Sequence, residues 1–496
     1  MKEQNTRVLA IDLGASSGRV MMAELENGVV SLQEIHRFSN DPVLVGKTFY
    51  WDIFRLFHEI RTGLQKAKAY GTFESISVDT WGVDFGLLDR DGNLLSNPVH
   101  YRDARTAGMC ARMEKMMSPE RLYEITGNQI MEINTLFQLL AVRQKQPDRI
   151  RSEVSMLMIP DLLHYMMTGK KAAEVSIAST TQMLNMQKKT WSEELARLLE
   201  LPEGFLPPIV ESGSVIGTLA EEIRTEFSLP SVKVIASAGH DTQCAMAATP
   251  AEEKDFIFLS CGTWSLLGTE LDEPLMTPEA QQLNITNECG YGGKISFLKN
   301  IIGLWLLQES RRQWKREGEE LGFSELEKLA QEAEPLRSLI DPDDPVFTPA
   351  GNIPERIREY CRNTGQPVPE TKGQIVRCIN ESLALKYRKS MEEISQCTKK
   401  TYPVIYMVGG GTQSRLLCRL TADACGCRVS AGPVEATALG NALIQMITLG
   451  EVKDLKEARS ILKQSQEIGT YEPDLSRKAV WDQAYEFFTQ HLLKQQ

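Results

Sequence analysis

Short apolar runs and amphipathic stretches alternate along the whole 496-residue chain. Near the start, Arg7-Val8-Leu9-Ala10-Ile11 and Val20-Met21-Met22-Ala23 flank a turn rich in small residues, so a hairpin is expected there. Strands are expected near residues 7–12, 19–25 and 29–37. From Trp51 to about Tyr70, apolar residues at Ile53, Phe54, Leu56, Phe57, Ile60 and Leu64 recur at helical spacing. Ser75–Asp79 reads as a strand, and Thr80 to Leu88 as a turn and a further strand. Residues 106–210 read as a mostly helical insertion that would line a substrate. Val232–Ser237 then returns to a strand. The polar, proline-bearing segment Thr249–Asp255 is the best linker, and it divides the chain into 1–248 and 249–496. The second part alternates in the same way, with strands over 256–270, a helix from Ile301 to Lys315, a long helix around 371–396, and a last strand at Val404–Val408. Strands alternating with helices in both parts predict an α/β architecture.

The two opening hairpins share one shape. The first carries Asp12-Leu-Gly-Ala-Ser-Ser-Gly-Arg19 and the second Ser260-Cys-Gly-Thr-Trp-Ser265, each between apolar runs. Small turn residues expose backbone N–H groups with nothing bulky above them, a concavity that suits phosphate. An ordinary hairpin with a polar turn has the same local pattern. Two such hairpins, one opening each part, suggest a duplicated fold closing on one nucleotide. That arrangement resembles the actin-like ATPase superfamily, which includes sugar kinases, and the resemblance implies two actin-like (ribonuclease H-like) domains with a nucleotide and sugar cleft between them.

Composition narrows the function. A chain this long exceeds one core, so two domains are expected. Lys and Arg number 55 against 66 Asp and Glu, a net charge of −11 that disfavours nucleic acid. No run reaches membrane-spanning length, and no signal peptide is expected before the first strand. The ten cysteines show no CxxC pair; reduced thiols in a cytoplasmic protein are expected, and no structural zinc.

Other motifs remain open on residues alone. Gly409-Gly410-Gly411 follows a strand and opens a helix, which suits close approach to a purine and its ribose. Gly46-Lys47-Thr48 resembles the end of a P-loop, but the required earlier glycine would stand at Asp41. In Gly239-His240-Asp241-Thr242, the carboxylate is either a helix cap or a functional acid. Asn300 reads as the cap of a helix from Ile301, with Gln308 two turns further along.

Together these motifs resemble the FGGY carbohydrate kinases over nearly the full length. The resemblance is carried by the Asp12–Arg19 turn, Asp79-Thr-Trp-Gly-Val-Asp-Phe85, Tyr101-Arg-Asp-Ala-Arg105, Pro160–Gly169, Gly239–Thr242, Ser260–Ser265, Lys299–Gln308 and Gly432–Asn441. It implies phosphoryl transfer from ATP, with Mg²⁺, to the 1-hydroxyl of a small ketose, L-rhamnulose, with L-fuculose or a pentulose as alternatives. It makes Asp241 the catalytic base. It assigns ATP to Ala15, Ser16, Ser17, Gly18, Arg19, Thr263, Gln308 and Gly410. It assigns the ketose to Gly82, His240, Asp241, Thr242 and Asn300, and places hydrated Mg²⁺ near Asp12 through water. The sugar side would lie in 1–248 with the first phosphate hairpin, and the adenosine site in 249–496. Many family members carry Lys where this chain has Gln138, a departure that removes the basis for expecting a substrate contact from that position and leaves the phosphate machinery untouched. A nucleotide-switched ATPase of the same superfamily is the alternative class; it would hydrolyse ATP without a sugar and would have no use for His240-Asp241-Thr242.

Overall fold

The first hairpin forms as its pattern requires, with Thr6–Leu13 antiparallel to Ser17–Glu26 in the computed structural model, which describes residues 5–493. The chain gathers into two compact units. The first holds the residues up to Pro250 with Leu271–Phe297 and Ala436–Ser465; the second holds Ala251–Glu270, Leu298–Glu435 and the chain from Gln466. The expected division at 248/249 follows chain order, whereas the units interleave.

The first unit is built on a six-stranded sheet in the order Ser214–Thr218, Lys233–Ala236, Ser75–Thr80, Thr6–Leu13, Ser17–Glu26, Val29–Ser39. Thr6–Leu13 lies inside this sheet, so Val8, Leu9, Ala10 and Ile11 are all buried and the strand reads as continuously apolar. Its register sets up the chemistry: Asp12 falls opposite Arg19 on the antiparallel side and beside Asp79 on the parallel side. Helix Ile53–Ala67, capped by Asp52, buries Ile53, Leu56, Ile60 and Leu64 against the sheet core, while Phe54 points outward at 59% exposure.

Residues 106–210 are less helical than their pattern predicts. They contain helices at Pro119–Thr126, Thr135–Lys145 and Ile159–Thr168, but also short strands such as Ser155–Met158 and Ala173–Glu174. This region has its own apolar core, including Met113, Leu122, Leu136, Phe137 and Phe205.

Helix Ala436–Leu449 packs on helix Asp241–Ala247 so closely that a Cβ at Gly440 would stand 1.8 Å from the Cys244 carbonyl oxygen. Its two buried amides serve the sheet. Asn441 Nδ2 donates to Asp79 Oδ2 at 2.6 Å, and Gln445 Nε2 donates to the Leu9 carbonyl at 3.0 Å. Segment Leu271–Phe297 is tied in by Tyr123 Oη, which donates to the Ile285 carbonyl at 2.7 Å, and by the Asn287 N–H bonding the Gly127 carbonyl.

In the second unit, Ile257–Cys261 pairs antiparallel with Trp264–Leu271 and parallel with Val404–Val408. Val404–Val408 is not the last strand: Arg428–Ala431 joins it in parallel, and Gly469–Tyr471 closes that edge. Asn300 does not cap the helix that its spacing predicts but lies in strand Ile295–Ile302, whose β-branched end resists helix formation. The helix begins at Trp305, after the N–H groups of Gly303 and Leu304 bond the carbonyls of Thr263 and Gly262. The long helix Lys372–Thr398 opens with a capping box of Thr371 and Gln374 and buries Ile375, Ile379, Leu383 and Tyr387. Among the described residues no helix is long and apolar enough to cross a membrane, and the cysteines are unbridged.

Candidate active site

The first unit concentrates acids and a histidine where strand Lys233–Ala236 runs into helix Asp241–Ala247. The connecting loop is fixed from two sides. The Thr80 N–H bonds the Gly239 carbonyl at 2.9 Å. Fully buried Glu174 accepts from the N–H groups of Gly239 (2.8 Å), Ser176 (2.9 Å) and Ile177 (3.0 Å), and from the hydroxyls of Ser176 and Ser212. Buried carboxylates need such donors. Burial still pushes the Glu174 carboxyl above its ordinary range, against those hydrogen bonds.

Asp241 is the first residue of the helix, and the cap position belongs to His240, whose side chain makes no capping bond. The carboxylate is therefore not used as a cap. Its Oδ1 accepts from Thr242 Oγ1 at 3.1 Å and lies 3.5 Å from His240 Nε2. The other imidazole nitrogen, Nδ1, meets Glu288 Oε2 at 2.9 Å. Gln243 Nε2 donates to the same oxygen at 3.0 Å, and Ser296 Oγ donates to Gln243 Oε1 at 2.6 Å. Burial opposes a charge on His240, but Glu288, Asp241 and Glu174 outweigh it and hold the imidazole up to about 9. His164, buried with no charge beside it, falls to about 4. His240 is thus an imidazolium at neutral pH with Nε2–H directed toward Asp241. The Asp241 carboxyl is raised, mainly by burial and further by Asp12, with His240 pulling the other way. A raised carboxylate is a stronger proton acceptor.

Asp12 is buried, and Arg19 reaches its Oδ2 through Nε at 3.0 Å and Nη2 at 2.9 Å. Asp79 is wholly buried. Burial, then Asp12 and Asp241, raise its carboxyl well above the usual range. In the turn between the first two strands, the Gly14 N–H bonds the Ser17 carbonyl, while Asn40 takes the carbonyls of Ser16 and Gly14. Ala15, Ser16 and Ser17 form the turn and its exit. Gly18 is already in the strand, where a Cβ would strike the Phe38 ring at 2.4 Å, so packing alone requires glycine there.

Gly82 packs against Thr180 and precedes Val83, whose φ of 68° is strained for a β-branched residue. The strain is held by bonds to both sides of the Val83 peptide: its N–H to Thr180 Oγ1, and Thr135 Oγ1 and Gln138 Nε2 to its carbonyl. Gln138 also donates to Asp84 Oδ1 at 3.0 Å and accepts from Arg105, so it is a clamp of this loop. Asp84 takes the indole N–H groups of Trp51 and Trp81; burial lifts its carboxyl to about 6 despite them.

In the second unit, Thr263 Oγ1 donates to Gln308 Oε1 at 3.1 Å. Gln308 lines a cavity of about 680 Å³ together with Leu304, Leu307, Val376, Asn380 and Gly410. The adjacent glycines differ in kind. A Cβ at Gly411 would collide with Cys261 Sγ at 2.2 Å, whereas at Gly410 it would meet nothing within 4 Å. Packing requires the first; only something entering the cavity would require the second.

The structure therefore gathers Gly82, His240, Asp241 and Thr242 with Asp12 and Arg19 in the first unit, and Thr263, Gln308 and Gly410 in the second, which also carries Asn300 in its strand. Sequence reasoning gave no role to Glu288, Glu174, Asp79 or Asn441. Glu288 had a signal: Thr286-Asn-Glu-Cys289 is a buried strand made of polar residues, which only partnered side chains permit.

Two interleaved α/β units, one with an acid and an imidazolium at a helix start, the other with a nucleoside-sized cavity, define the duplicated two-domain sugar-kinase class. The family models agree. The N-terminal domain of the FGGY family of carbohydrate kinases matches residues 7–248 and its C-terminal domain matches residues 257–449. The chain belongs to the FGGY family of carbohydrate kinases. It is 44% identical over 480 residues to a rhamnulokinase of Bacteroides thetaiotaomicron, covering 97% of this chain and 98% of that one. It is 42% identical to a rhamnulokinase of Enterococcus faecalis, covering 92% of both. Among solved structures, a ligand-bound xylulose kinase from Lactobacillus acidophilus superposes with a TM-score of 0.82 at 17% identity, over 98% of this chain and 97% of that chain. A Plasmodium falciparum glycerol kinase with ADP gives 0.79 at 15% identity, over 99% of each. At these identities the structural likeness concerns the fold.

Proposed function

We propose that this protein phosphorylates L-rhamnulose at its 1-hydroxyl with ATP, as a step of L-rhamnose breakdown. The observation that carries the reading is near-full-length identity of 37–44% to proteins named rhamnulokinase, joined to an Asp241–His240 pair standing at a helix start. Asp241 accepts the proton of the attacking hydroxyl. In a loose phosphoryl-transfer transition state that oxygen is deprotonated late, so the carboxylate orients the hydroxyl as much as it abstracts from it. His240, charged and held by Glu288, donates to a sugar oxygen. Thr242, the Gly82 backbone and Asn300 complete the sugar contacts. Ala15, Ser16, Ser17, Gly18, Arg19 and Thr263 serve the phosphates, and the cavity with Gln308 and Gly410 takes the nucleoside.

Among the described residues no group of three or more Asp, Glu, His or Cys forms a metal cage. Mg²⁺ keeps several waters and takes few direct protein ligands, so a single carboxylate could hold it through water. Both Arg19 contacts fall on Oδ2 of Asp12, so Oδ1 stands outside that ion pair and fits a water-mediated role. Bound there, the ion would neutralise phosphate charge.

The test is ADP release by the purified protein across a ketose panel. L-rhamnulose is expected to give the highest kcat/KM. A higher value for L-fuculose or a pentulose would replace the substrate, and sugar-independent turnover would replace the class.

A further inference from the structure

The second unit's cavity contains a buried amide that the fold leaves unused. Asn380 sits on helix Lys372–Thr398, only 2% exposed, and lines the cavity beside Gln308 and Gly410. Its Oδ1 is buried without a hydrogen-bond partner among the described residues. Its neighbours on the helix are engaged: Glu381 accepts from Arg377 Nε at 2.8 Å and from the Leu336 N–H, and Ser382 Oγ accepts from the Ile340 N–H at 2.9 Å. Buried side-chain amides are almost always paired. An unpaired one on a residue that lines a cavity of ligand size points to a group that the ligand supplies.

The surroundings indicate which group. Leu304, Leu307 and Val376 give the cavity apolar walls. Gln308, Gln331 and Gln413 also line it, but Asn380 is the buried amide among them, and apolar walls beside a buried amide suit a flat heteroaromatic ring that carries a donor beside an acceptor. The amide has both complements, Oδ1 to accept and Nδ2 to donate. Adenine presents its 6-amino group next to a ring nitrogen, the pairing that an Asn side chain makes in two hydrogen bonds.

We propose that Asn380 is the nucleobase-reading residue: its amide accepts from the 6-amino group of adenine and donates to the adjacent ring nitrogen, making the enzyme selective for adenine nucleotides. The inference rests on the reading of this cavity as the nucleoside site. It adds what Gln308 and Gly410 do not supply, a contact that distinguishes one base from another.

The experiment measures binding of ATP and of purine riboside 5′-triphosphate, which lacks only the 6-amino group, to the full-length protein by calorimetry. The wild type is expected to bind ATP about tenfold more tightly than the analogue. Asn380→Leu and Asn380→Ser are each expected to bring that ratio close to one, by weakening ATP and leaving the analogue nearly unchanged; two variants guard against one failing to fold. A wild type that does not discriminate, or variants that keep the wild-type ratio, would overturn the proposal. Gly410→Phe separates it from the underlying reading, because its ring enters open cavity space. If Gly410→Phe abolishes ATP binding while Asn380→Leu keeps the ratio, the cavity holds the nucleotide and only the role of Asn380 fails. If Gly410→Phe binds ATP like the wild type, both fail.

Discussion

Replacing Glu288 with Gln keeps shape and an acceptor but removes the charge that faces His240 Nδ1 at 2.9 Å. Raising the imidazole from 6.5 to about 9 corresponds to about 3 kcal/mol in favour of the charged form. Glu288 is the largest favourable contributor, ahead of Asp241 and Glu174. Burial remains in the variant, and burial without a charged partner takes His164 to about 4. The His240 pKa in Glu288→Gln is therefore expected below 7. Because the wild-type imidazole is raised above its unfolded value, its contribution to stability is complete below pH 6.5 and is lost as pH rises to 9. The variant lacks that contribution, so the stability gap between the two should be about 3 kcal/mol near pH 6 and should close toward pH 9.5. Activity follows the same proton: kcat/KM for the ketose should fall above pH 9 in the wild type and already above pH 7 in the variant, with the loss mainly in KM. Proton NMR of the six histidines and a pH–rate profile measure both. A basic limb that stays near 9 in Glu288→Gln would refute the assignment of a charged His240 held by Glu288.

Asp79→Asn removes a carboxyl whose charge burial disfavours and keeps an acceptor for Asn441, so chemical denaturation at pH 7.5 should show stability unchanged or higher, whereas Asp79→Leu should lose about 2 kcal/mol from the stranded amide. Gly440→Ala forces a methyl against the Cys244 carbonyl, and should cost about 3 kcal/mol and lower kcat through the shifted Asp241 helix; wild-type melting would contradict the contact. Gln138→Leu leaves the Val83 carbonyl and Asp84 short of a donor, so ketose KM should rise about tenfold with nucleotide affinity unchanged, as measured by initial rates and calorimetry.

What the pattern along the chain revealed were the features with local causes. The first hairpin, the Ile53–Ala67 helix and the long helix after Thr371 follow from apolar spacing and caps. Asp241 was visible as an acid at a helix start, but a cap would look the same, and only the geometry of His240 and Thr242 separates the two uses. The end of strand Ile295–Ile302 is hidden from a sequence reading because Ile-Ile-Gly-Leu-Trp-Leu-Leu fits helical spacing; the bonds of Gly303 to Thr263 and of Leu304 to Gly262 decide it, and those partners lie about 40 residues away in the sequence. Asp79, Glu174 and Glu288 act through partners brought together by sheet register and by helix Ala436–Leu449, which single-residue reasoning does not see. The interleaving of the units has the same origin, since segment 271–297 is held by contacts to Tyr123, Gly127 and Asn128.

The central claim is that the Asp241 carboxylate serves the sugar hydroxyl and not the nucleotide. Single-turnover phosphorylation of L-rhamnulose by Asp241→Asn, alongside calorimetric binding of ATP to the same preparation, tests it. A rate loss of roughly 10²–10⁴-fold with ATP affinity within about twofold of wild type is expected. Wild-type turnover by the variant, or a loss explained entirely by failure to bind ATP, would contradict it.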